Sequence, residues 1–123
     1  MKKILLIEDE FRLQKTIGNL LEEEGYKIIY ALNGEVGVNM ANKENPDLIL
    51  LDLVLPKIDG FEVLRRLKEK KETKNIPVII LTNLDDFMDV ERCLELGATT
   101  YLVKADQDLK DIKEKINQTL SLT

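Results

Sequence analysis

The sequence contains no histidine, no tryptophan and a single cysteine, Cys93. One cysteine cannot form a disulfide within the chain, and the absence of histidine excludes both a His/Cys zinc site and histidine-based acid–base catalysis. Any metal must therefore be held by oxygen ligands. Prolines number only three among the 123 residues, and no internal repeat or Pro/Gly/Ser-rich linker interrupts the chain. We therefore expect one domain spanning residues 1–123.

Long apolar runs and an excess of positive charge are also absent. The first ten residues, MKKILLIEDE, have an apolar run of only four residues before three carboxylates, which is too short for a signal peptide or a membrane span. Lys and Arg total 18 against 23 Asp and Glu, a net charge of −5, which disfavours a broad contact with nucleic acid or an anionic membrane. These features predict a cytoplasmic protein with no nucleic-acid or membrane partner.

Strand patterns alternate with helical patterns along the whole chain. Three wholly apolar runs are typical of strands buried on both faces of a parallel sheet, and two more polar segments with β-branched or aromatic residues are typical of sheet edges. Strict alternation predicts an α/β, flavodoxin-like fold of three layers: a five-stranded, doubly wound parallel sheet of order 2-1-3-4-5 between two helix layers. The predicted strands are 4–7, 27–31, 48–51, 78–81 and 99–103, and the predicted helices are 11–24, 34–43, 60–71, 86–96 and 109–120.

Polar residues follow four of the predicted strands. Ligands of doubly wound sheets bind beyond the carboxyl ends of the strands, where the strand order reverses. The residues at those ends are Glu8 and Asp9, Asp52, Thr82 and Lys104. Two carboxylates about 5 Å apart repel by roughly 3 kcal/mol at an effective dielectric constant of about 20, so the cluster requires cations. Lys104 supplies one, and Mg²⁺, which prefers oxygen ligands, suits the remainder.

The same residues suit phosphoryl transfer. Asp52, at the centre, can act as a nucleophile and become an aspartyl phosphate. The metal and Lys104 would offset charge on the transferred group, and the Thr82 hydroxyl would donate a hydrogen bond to one of its oxygens. No general base is needed, because the carboxylate is already deprotonated.

The sequence resembles the receiver domain of two-component response regulators, in the single-domain form typified by chemotaxis regulators, over residues 3–120. The matching motifs are the acidic pair Glu8-Asp9 after KILLI, DLVLPKIDG beginning at Asp52, Thr82 after PVIIL, and GATTYLVK ending at Lys104. Each motif alone is weak. Their order and their positions at strand ends make the resemblance specific.

This resemblance implies roles for individual residues. Asp52 would be the phosphoacceptor, with Thr82 and Lys104 contacting the phosphoryl group, and Thr82 and Tyr101 would form the switch. The Mg²⁺ ligands would be Glu8, Asp9, Asp52 and the backbone carbonyl of Val54. The donor would be a sensor histidine kinase or a histidine phosphotransfer protein. Since the chain ends near the close of the fifth helix, the surface of helix 4, strand 5 and helix 5 would act on an unknown output protein, unless the chain is cut from a longer one.

Several positions depart from the usual pattern of the family. Glu8 stands where Asp is more frequent, which favours Asp9 for direct metal ligation. Asn83 replaces a small residue, and its amide would crowd or hydrogen-bond the phosphoryl group and so affect the rate of phosphorylation and the lifetime of the product. Apolar Val54 and Leu84 stand two residues after Asp52 and Thr82, where they would exclude water and prolong the life of the phosphoryl group.

Ala105 stands where the family usually has proline. A cis bond before a non-proline residue costs about 2.5–4 kcal/mol, so we expect a trans Lys104–Ala105 bond and a rearranged loop in which Asp106 caps the last helix.

Other interpretations remain open at this point. A pseudo-receiver would act by protein contact alone, without phosphate. A Mg²⁺-dependent phosphohydrolase that forms an aspartyl phosphate needs a second acid two residues after the nucleophile, where this chain has Val54. A flavin- or nucleotide-binding module would need a Gly-rich loop after strand 1, where this chain has acids. We therefore expect no enzyme activity beyond phosphorylation and dephosphorylation of Asp52 itself. Asp9 as a helix cap and Cys93 as a buried apolar residue are the simpler structural interpretations.

Overall fold

The computed structural model describes residues 1–121, which form five strands, five α-helices and one short 3₁₀ turn at Lys104–Asp106. Every strand pairing is parallel, and the strand order is β2-β1-β3-β4-β5, so the predicted fold class is confirmed. In chain order the elements are β1 Lys3–Ile7, α1 Phe11–Glu23, β2 Lys27–Ala31, α2 Gly34–Glu44, β3 Leu48–Leu51, α3 Gly60–Glu69, β4 Val78–Thr82, α4 Phe87–Glu95, β5 Thr100–Val103 and α5 Leu109–Ser121.

Predicted and observed boundaries differ by at most two residues. The largest difference is at the end of α3, which stops at Glu69 because the backbone of Lys70 is extended. The chain then enters a turn in which the buried hydroxyl of Thr73 donates a 2.6 Å hydrogen bond to the carbonyl of Leu67. At the end of α2, Asn45 adopts a left-handed conformation with φ of 46°, which terminates that helix.

The sheet separates two apolar layers. Strands β3 and β4 are buried along their whole length, and so is β1 after its first residue, whereas β2 and β5 lie at the edges, as their more polar sequences predict. Alternate residues of the central strands point to opposite faces. One layer contains Leu5, Ile7, Ile49, Leu51 and Ile80 with α2, α3 and α4 residues such as Val38, Leu64 and Cys93, and the other contains Ile4, Leu6, Leu50, Ile79 and Leu81 with α1 and α5 residues such as Ile17, Leu21 and Ile116.

Within residues 1–121, no helix combines the length and apolar character that crossing a bilayer requires. Because all five strands run in the same direction, their carboxyl ends lie along one edge of the sheet. The residues that follow β1, β3, β4 and β5 are therefore brought to the same side of the molecule.

Candidate functional site at the carboxyl edge of the sheet

A crevice of about 310 Å³ opens at this edge. Each residue predicted from the strand ends lines this crevice, together with three neighbours, so these residues do lie together. The lining residues are Glu8, Asp9, Glu10, Asp52, Val54, Thr82, Asn83 and Lys104.

Lys104 bridges two of the acids. Its Nζ lies 2.7 Å from Oε1 of Glu8 and 2.9 Å from Oδ2 of Asp52. The side chains of Glu8, Asp52 and Lys104 are only 3%, 6% and 15% exposed, so this cluster of two acids and one lysine is largely shielded from water. Lys104 and Asp52 lie 52 positions apart in the sequence but meet in the structure because β5, β4 and β3 are sheet neighbours.

Burial and ion pairing have opposite effects on the pKa values of Glu8 and Lys104. Burial raises the pKa of Glu8 above its ordinary value of 4.5, although the hydrogen bond from Lys104 opposes the rise. Burial alone would lower the pKa of Lys104, but its hydrogen bonds to Glu8 and Asp52 outweigh that effect, and the pKa lies above 10.5. Lys104 therefore stays a cation at neutral pH.

The loop after β3 holds Asp52 in place. The Asp52 amide donates a 3.1 Å hydrogen bond to the carbonyl of Ile7, and Oδ1 of Asp52 accepts a 3.3 Å bond from the Val54 amide. The start of α3 closes on this loop at Gly60, whose amide donates to the Leu53 carbonyl at 2.9 Å. A Cβ atom at Gly60 would lie 2.4 Å from the carbonyl oxygen of Asp52, so only glycine permits this approach.

Thr82 and Tyr101 are linked through Leu84. Thr82 is fully buried, and its Oγ1 is 3.5 Å from the Leu84 amide, at the limit of a hydrogen bond. The Tyr101 hydroxyl donates a 2.7 Å bond to the Leu84 carbonyl. Burial raises the pKa of Tyr101 to about 12, so its hydroxyl remains a donor at neutral pH.

The three residues predicted to control the lifetime of a phosphoryl group are placed differently. Val54 and Asn83 line the crevice, and Val54 is 58% exposed. Leu84 is instead half-buried and packs against the apolar layer on the α3 side of the sheet. Its backbone, rather than its side chain, is the part that the contacts place near Thr82 and Tyr101.

The Lys104–Ala105 bond is trans, as predicted from the cost of a cis bond. The prediction that Asp106 caps the last helix is wrong, because Asp106 lies inside the 3₁₀ turn and α5 begins three residues later. Asp108 takes that role: its Oδ1 accepts a 2.8 Å bond from the Asp111 amide, and Oδ2 of Asp111 accepts a 3.1 Å bond from the Asp108 amide. This reciprocal pairing satisfies two amides at the helix start.

Asp9 is exposed and does not cap α1, because Glu10 occupies the cap position without a side-chain bond.

The sequence prediction missed one residue that holds the site together, Gln14 of α1. Its buried amide donates to the carbonyls of Glu8 at 3.2 Å and Ala31 at 3.3 Å, which joins the ends of β1 and β2. Its helical spacing with Ile17 and Leu21, on the inward face of α1, is the sequence signal that could have predicted its burial.

The acidic groups of the crevice fit a hard divalent cation. One carboxylate oxygen from each of Glu8, Asp9 and Asp52 lies within 4.8 Å of the other two. With one ammonium nearby, the three carboxylates leave two negative charges in excess, which matches the charge of Mg²⁺. The cluster is therefore one that could hold a metal ion.

Comparisons with known proteins agree with the fold. The family model described as response regulator receiver domain matches residues 4–117. The chain is 35% identical over 121 residues to Sporulation initiation phosphotransferase F of Bacillus subtilis, covering 98% of this chain and 95% of that protein. It is 41% identical over 107 residues to Transcriptional regulatory protein AfsQ1 of Streptomyces coelicolor, covering 87% of this chain but only 46% of that protein. It is also similar to response regulator Rcp1, solved in a Mn(2+)-bound form, with a TM-score of 0.82, 34% identity and coverage of 94% of this chain and 89% of the other.

Proposed function

Because the chain belongs to the family of response regulator receiver domains of two-component systems, we propose that Asp52 accepts a phosphoryl group from a phosphohistidine. The donor is a sensor histidine kinase or a histidine phosphotransfer protein. The observation that carries this proposal is the position of Asp52, a 6% exposed carboxylate at the centre of the crevice, 2.9 Å from the Lys104 ammonium. The similarity of the chain, over nearly its full length, to Sporulation initiation phosphotransferase F supports the same chemistry.

The transfer needs little from the protein beyond charge and position. An Asp52 oxygen forms the new P–O bond while the P–N bond to the donor histidine breaks, and the electron pair of that bond stays on the imidazole. After transfer, the Lys104 ammonium pairs with a phosphoryl oxygen instead of with the unmodified Asp52 carboxylate. Thr82, which also lines the crevice, donates a hydrogen bond from its hydroxyl to a second phosphoryl oxygen.

Mg²⁺ in this site would be held by carboxylate oxygens of Asp9 and Asp52 and by the Val54 carbonyl. The family resemblance adds Glu8 to these ligands. Bound there, the ion supplies positive charge against the phosphoryl oxygens. Asp9 is the exposed member of the cluster and is the one that solvent and an entering cation meet first.

The switch would pass through the backbone of Leu84. If Thr82 turns toward a phosphoryl group, its 3.5 Å contact with the Leu84 amide is lost, and the Leu84 carbonyl that accepts from Tyr101 moves with the same segment. This segment leads directly into α4, so the surface of α4, β5 and α5 changes. That surface would bind an output protein, without direct contact to nucleic acid or membrane.

Mass spectrometry after incubation with acetyl phosphate and Mg²⁺ tests this proposal. We expect wild-type protein to gain one phosphoryl group, and we expect no gain in Asp52→Asn or in wild type with the metal chelated. Continuous release of phosphate without an adduct would instead identify a phosphohydrolase. Neither an adduct nor phosphate release would identify a pseudo-receiver.

We further propose that the phosphoryl group on Asp52 is long-lived. Val54 presents an apolar side chain to the crevice and cannot orient a water molecule. The Leu84 side chain packs against the apolar layer on the α3 side of the sheet. A Val54→Asn, Leu84→Glu double variant should lose phosphate about tenfold faster or more, and most of the gain should come from Val54→Asn, because only the Val54 side chain lines the crevice where a polar group can orient water. The single variants are the matched controls. Equal rates in all four proteins would contradict water exclusion and leave Asn83 as the next residue to replace.

A further inference from the structure

The charges of α1 are arranged in the opposite sense to those of the three helices that follow it. Helices α2, α3 and α4 each carry an acid in the first turn and a base in the last turn, as the helix dipole favours. Helix α1 instead has Arg12 in its first turn and Lys15 directly after that turn, whereas Glu22 and Glu23 lie at its end. This arrangement opposes the dipole, so the stability of α1 itself does not explain it.

Lys15 and Glu22 lie on one side of α1. Seven positions are two turns of helix, so these side chains are about 10.5 Å apart along the helix axis, with Asn19 between them. All three residues are exposed. The Lys15 Nζ lies 5.8 Å from the centre of the Phe11 ring, and Oε1 of Glu22 accepts a 2.9 Å hydrogen bond from the Tyr30 hydroxyl. Within residues 1–121, neither Lys15 nor Glu22 has an ion-pair partner.

An open groove of about 440 Å³ runs along the same side of α1. It is lined by Phe11, Lys15, Asn19 and Glu22 of α1, and by Tyr30 of β2 and Leu32 after it. Its apolar members face solvent, since Phe11 is 63% exposed, Leu32 49% and Tyr30 37%. The Tyr30 ring is held against α1 at Gly18, where any Cβ atom would clash with it. This surface, the α1–β2 face, is therefore preformed, and it combines exposed apolar groups with one base and one acid.

We propose that the α1–β2 face binds the same face of a second copy of the chain, with the two α1 helices antiparallel. A two-fold axis between positions 18 and 19 places Lys15 of each copy opposite Glu22 of the other, so two ion pairs form together. The basic half of each α1 then meets the acidic half of its copy, and the apolar groups of the groove lose their contact with water. A surface of uniform charge would instead be attracted by one half of α1 and repelled by the other.

Sedimentation equilibrium of the wild-type protein tests whether the chain self-associates. Between about 10 μM and 1 mM protein, a range that covers weak dimers, we expect the average mass to rise from that of the 14.1 kDa chain toward twice that value. An average mass that stays at the monomer value over the whole range would overturn the proposal.

Charge reversal tests whether the α1–β2 face is the surface involved. Lys15→Glu and Glu22→Lys each bring like charges together twice in the symmetric dimer, so each variant alone should dimerise at least about tenfold more weakly than wild type. One variant carries acids at both positions and the other carries bases at both. An equimolar mixture should therefore restore both ion pairs and form a one-to-one complex at least as tight as the wild-type dimer.

Lys110→Glu and Glu114→Lys are the matched controls, because they change the net charge by the same amounts at an exposed ion pair of α5. Each control should self-associate as wild type does, and mixing the two controls should add nothing. Failure of the α1 variants to associate when mixed would overturn the proposal. Equal association in the control mixture would also overturn it, since general charge attraction would then explain both results.

Discussion

Helices α3 and α4 each follow a segment that lines the crevice, which contains Val54 before α3 and Asn83 before α4, but the protein holds the two helices in different ways. Each starts at an aspartate cap, Asp59 or Asp86, whose side chain accepts a hydrogen bond from an amide of the first turn. Helix α3 then buries five residues, whereas α4 buries only Cys93. Apolar residues of α4 face solvent instead: Phe87 is 72% exposed, Met88 70% and Leu94 49%.

The difference indicates which of the two helices is held firmly and which can move. Helix α3 carries Gly60, packed against the carbonyl of Asp52, so a shift of α3 would displace the proposed phosphoacceptor itself. Helix α4 follows the segment that contains Thr82, and it can be repositioned with little loss of buried apolar surface. A phosphoryl group on Asp52 would therefore act on α4 while α3 holds Asp52 still.

The largest expected effect contrasts one leucine in each helix. Leu64→Ala in α3 removes a fully buried side chain and should lower the free energy of unfolding by about 2–5 kcal/mol. Leu94→Ala in α4 removes a half-exposed side chain and should change the same quantity by no more than about 0.5 kcal/mol. Urea denaturation measures both. Similar losses in the two variants would show that α4 is anchored as firmly as α3.

A smaller effect concerns the hydrogen bond that links β5 to the segment before α4. Tyr101→Phe removes the bond to the Leu84 carbonyl and should cost about 1 kcal/mol at pH 8. Because the pKa of Tyr101 in the folded protein is raised to about 12 from 10, the stabilisation is complete below pH 10 and is lost as the pH rises toward 12. Urea denaturation of both proteins at pH 8 and pH 11 should show the difference shrinking. A constant or growing difference would rule out the un-ionised hydroxyl as its source.

The smallest effect concerns a contact between the two helices. The Arg92 guanidinium of α4 lies 4.1 Å from the centre of the Phe61 ring of α3. Arg92→Gln should lower the free energy of unfolding by about 0.5–1 kcal/mol, as expected for a cation–π pair whose cation is exposed to solvent. Arg12→Gln, an exposed arginine of α1, is the control and should change it by less than about 0.5 kcal/mol. A larger loss at Arg92 would mean that α4 depends on α3 more than its burial implies.

The fold and the membership of the crevice were predictable from the sequence for one reason. Buried parallel strands need short apolar runs, and Ile4–Ile7, Leu48–Leu51 and Val78–Leu81 are such runs, so the polar residues after them had to meet at one edge. With five alternating strands and right-handed crossovers, the order 2-1-3-4-5 is the common arrangement, which is why it could be predicted. This reasoning needs no knowledge of side-chain conformations.

What could not be predicted depends on side-chain reach and on packing between distant segments. Asp106 and Asp108 are equally suitable caps by residue type, and only the 3₁₀ turn after β5 decides between them. The bridge from Glu8 to Lys104 depends on a few ångströms of side-chain length. The sequences of α3 and α4 are both amphipathic, and their unequal attachment appears only once the sheet and helices are packed together.

The most direct test of the account is to locate the phosphoryl group in unmodified wild-type protein. Borohydride reduces an acyl phosphate of aspartate to homoserine, so peptide fragmentation after phosphorylation and reduction identifies the residue that carried it. We expect homoserine at position 52 and at no other acid of the crevice. Homoserine at position 9, or a modified acid outside the crevice, would show that the buried, lysine-paired Asp52 is not the acceptor.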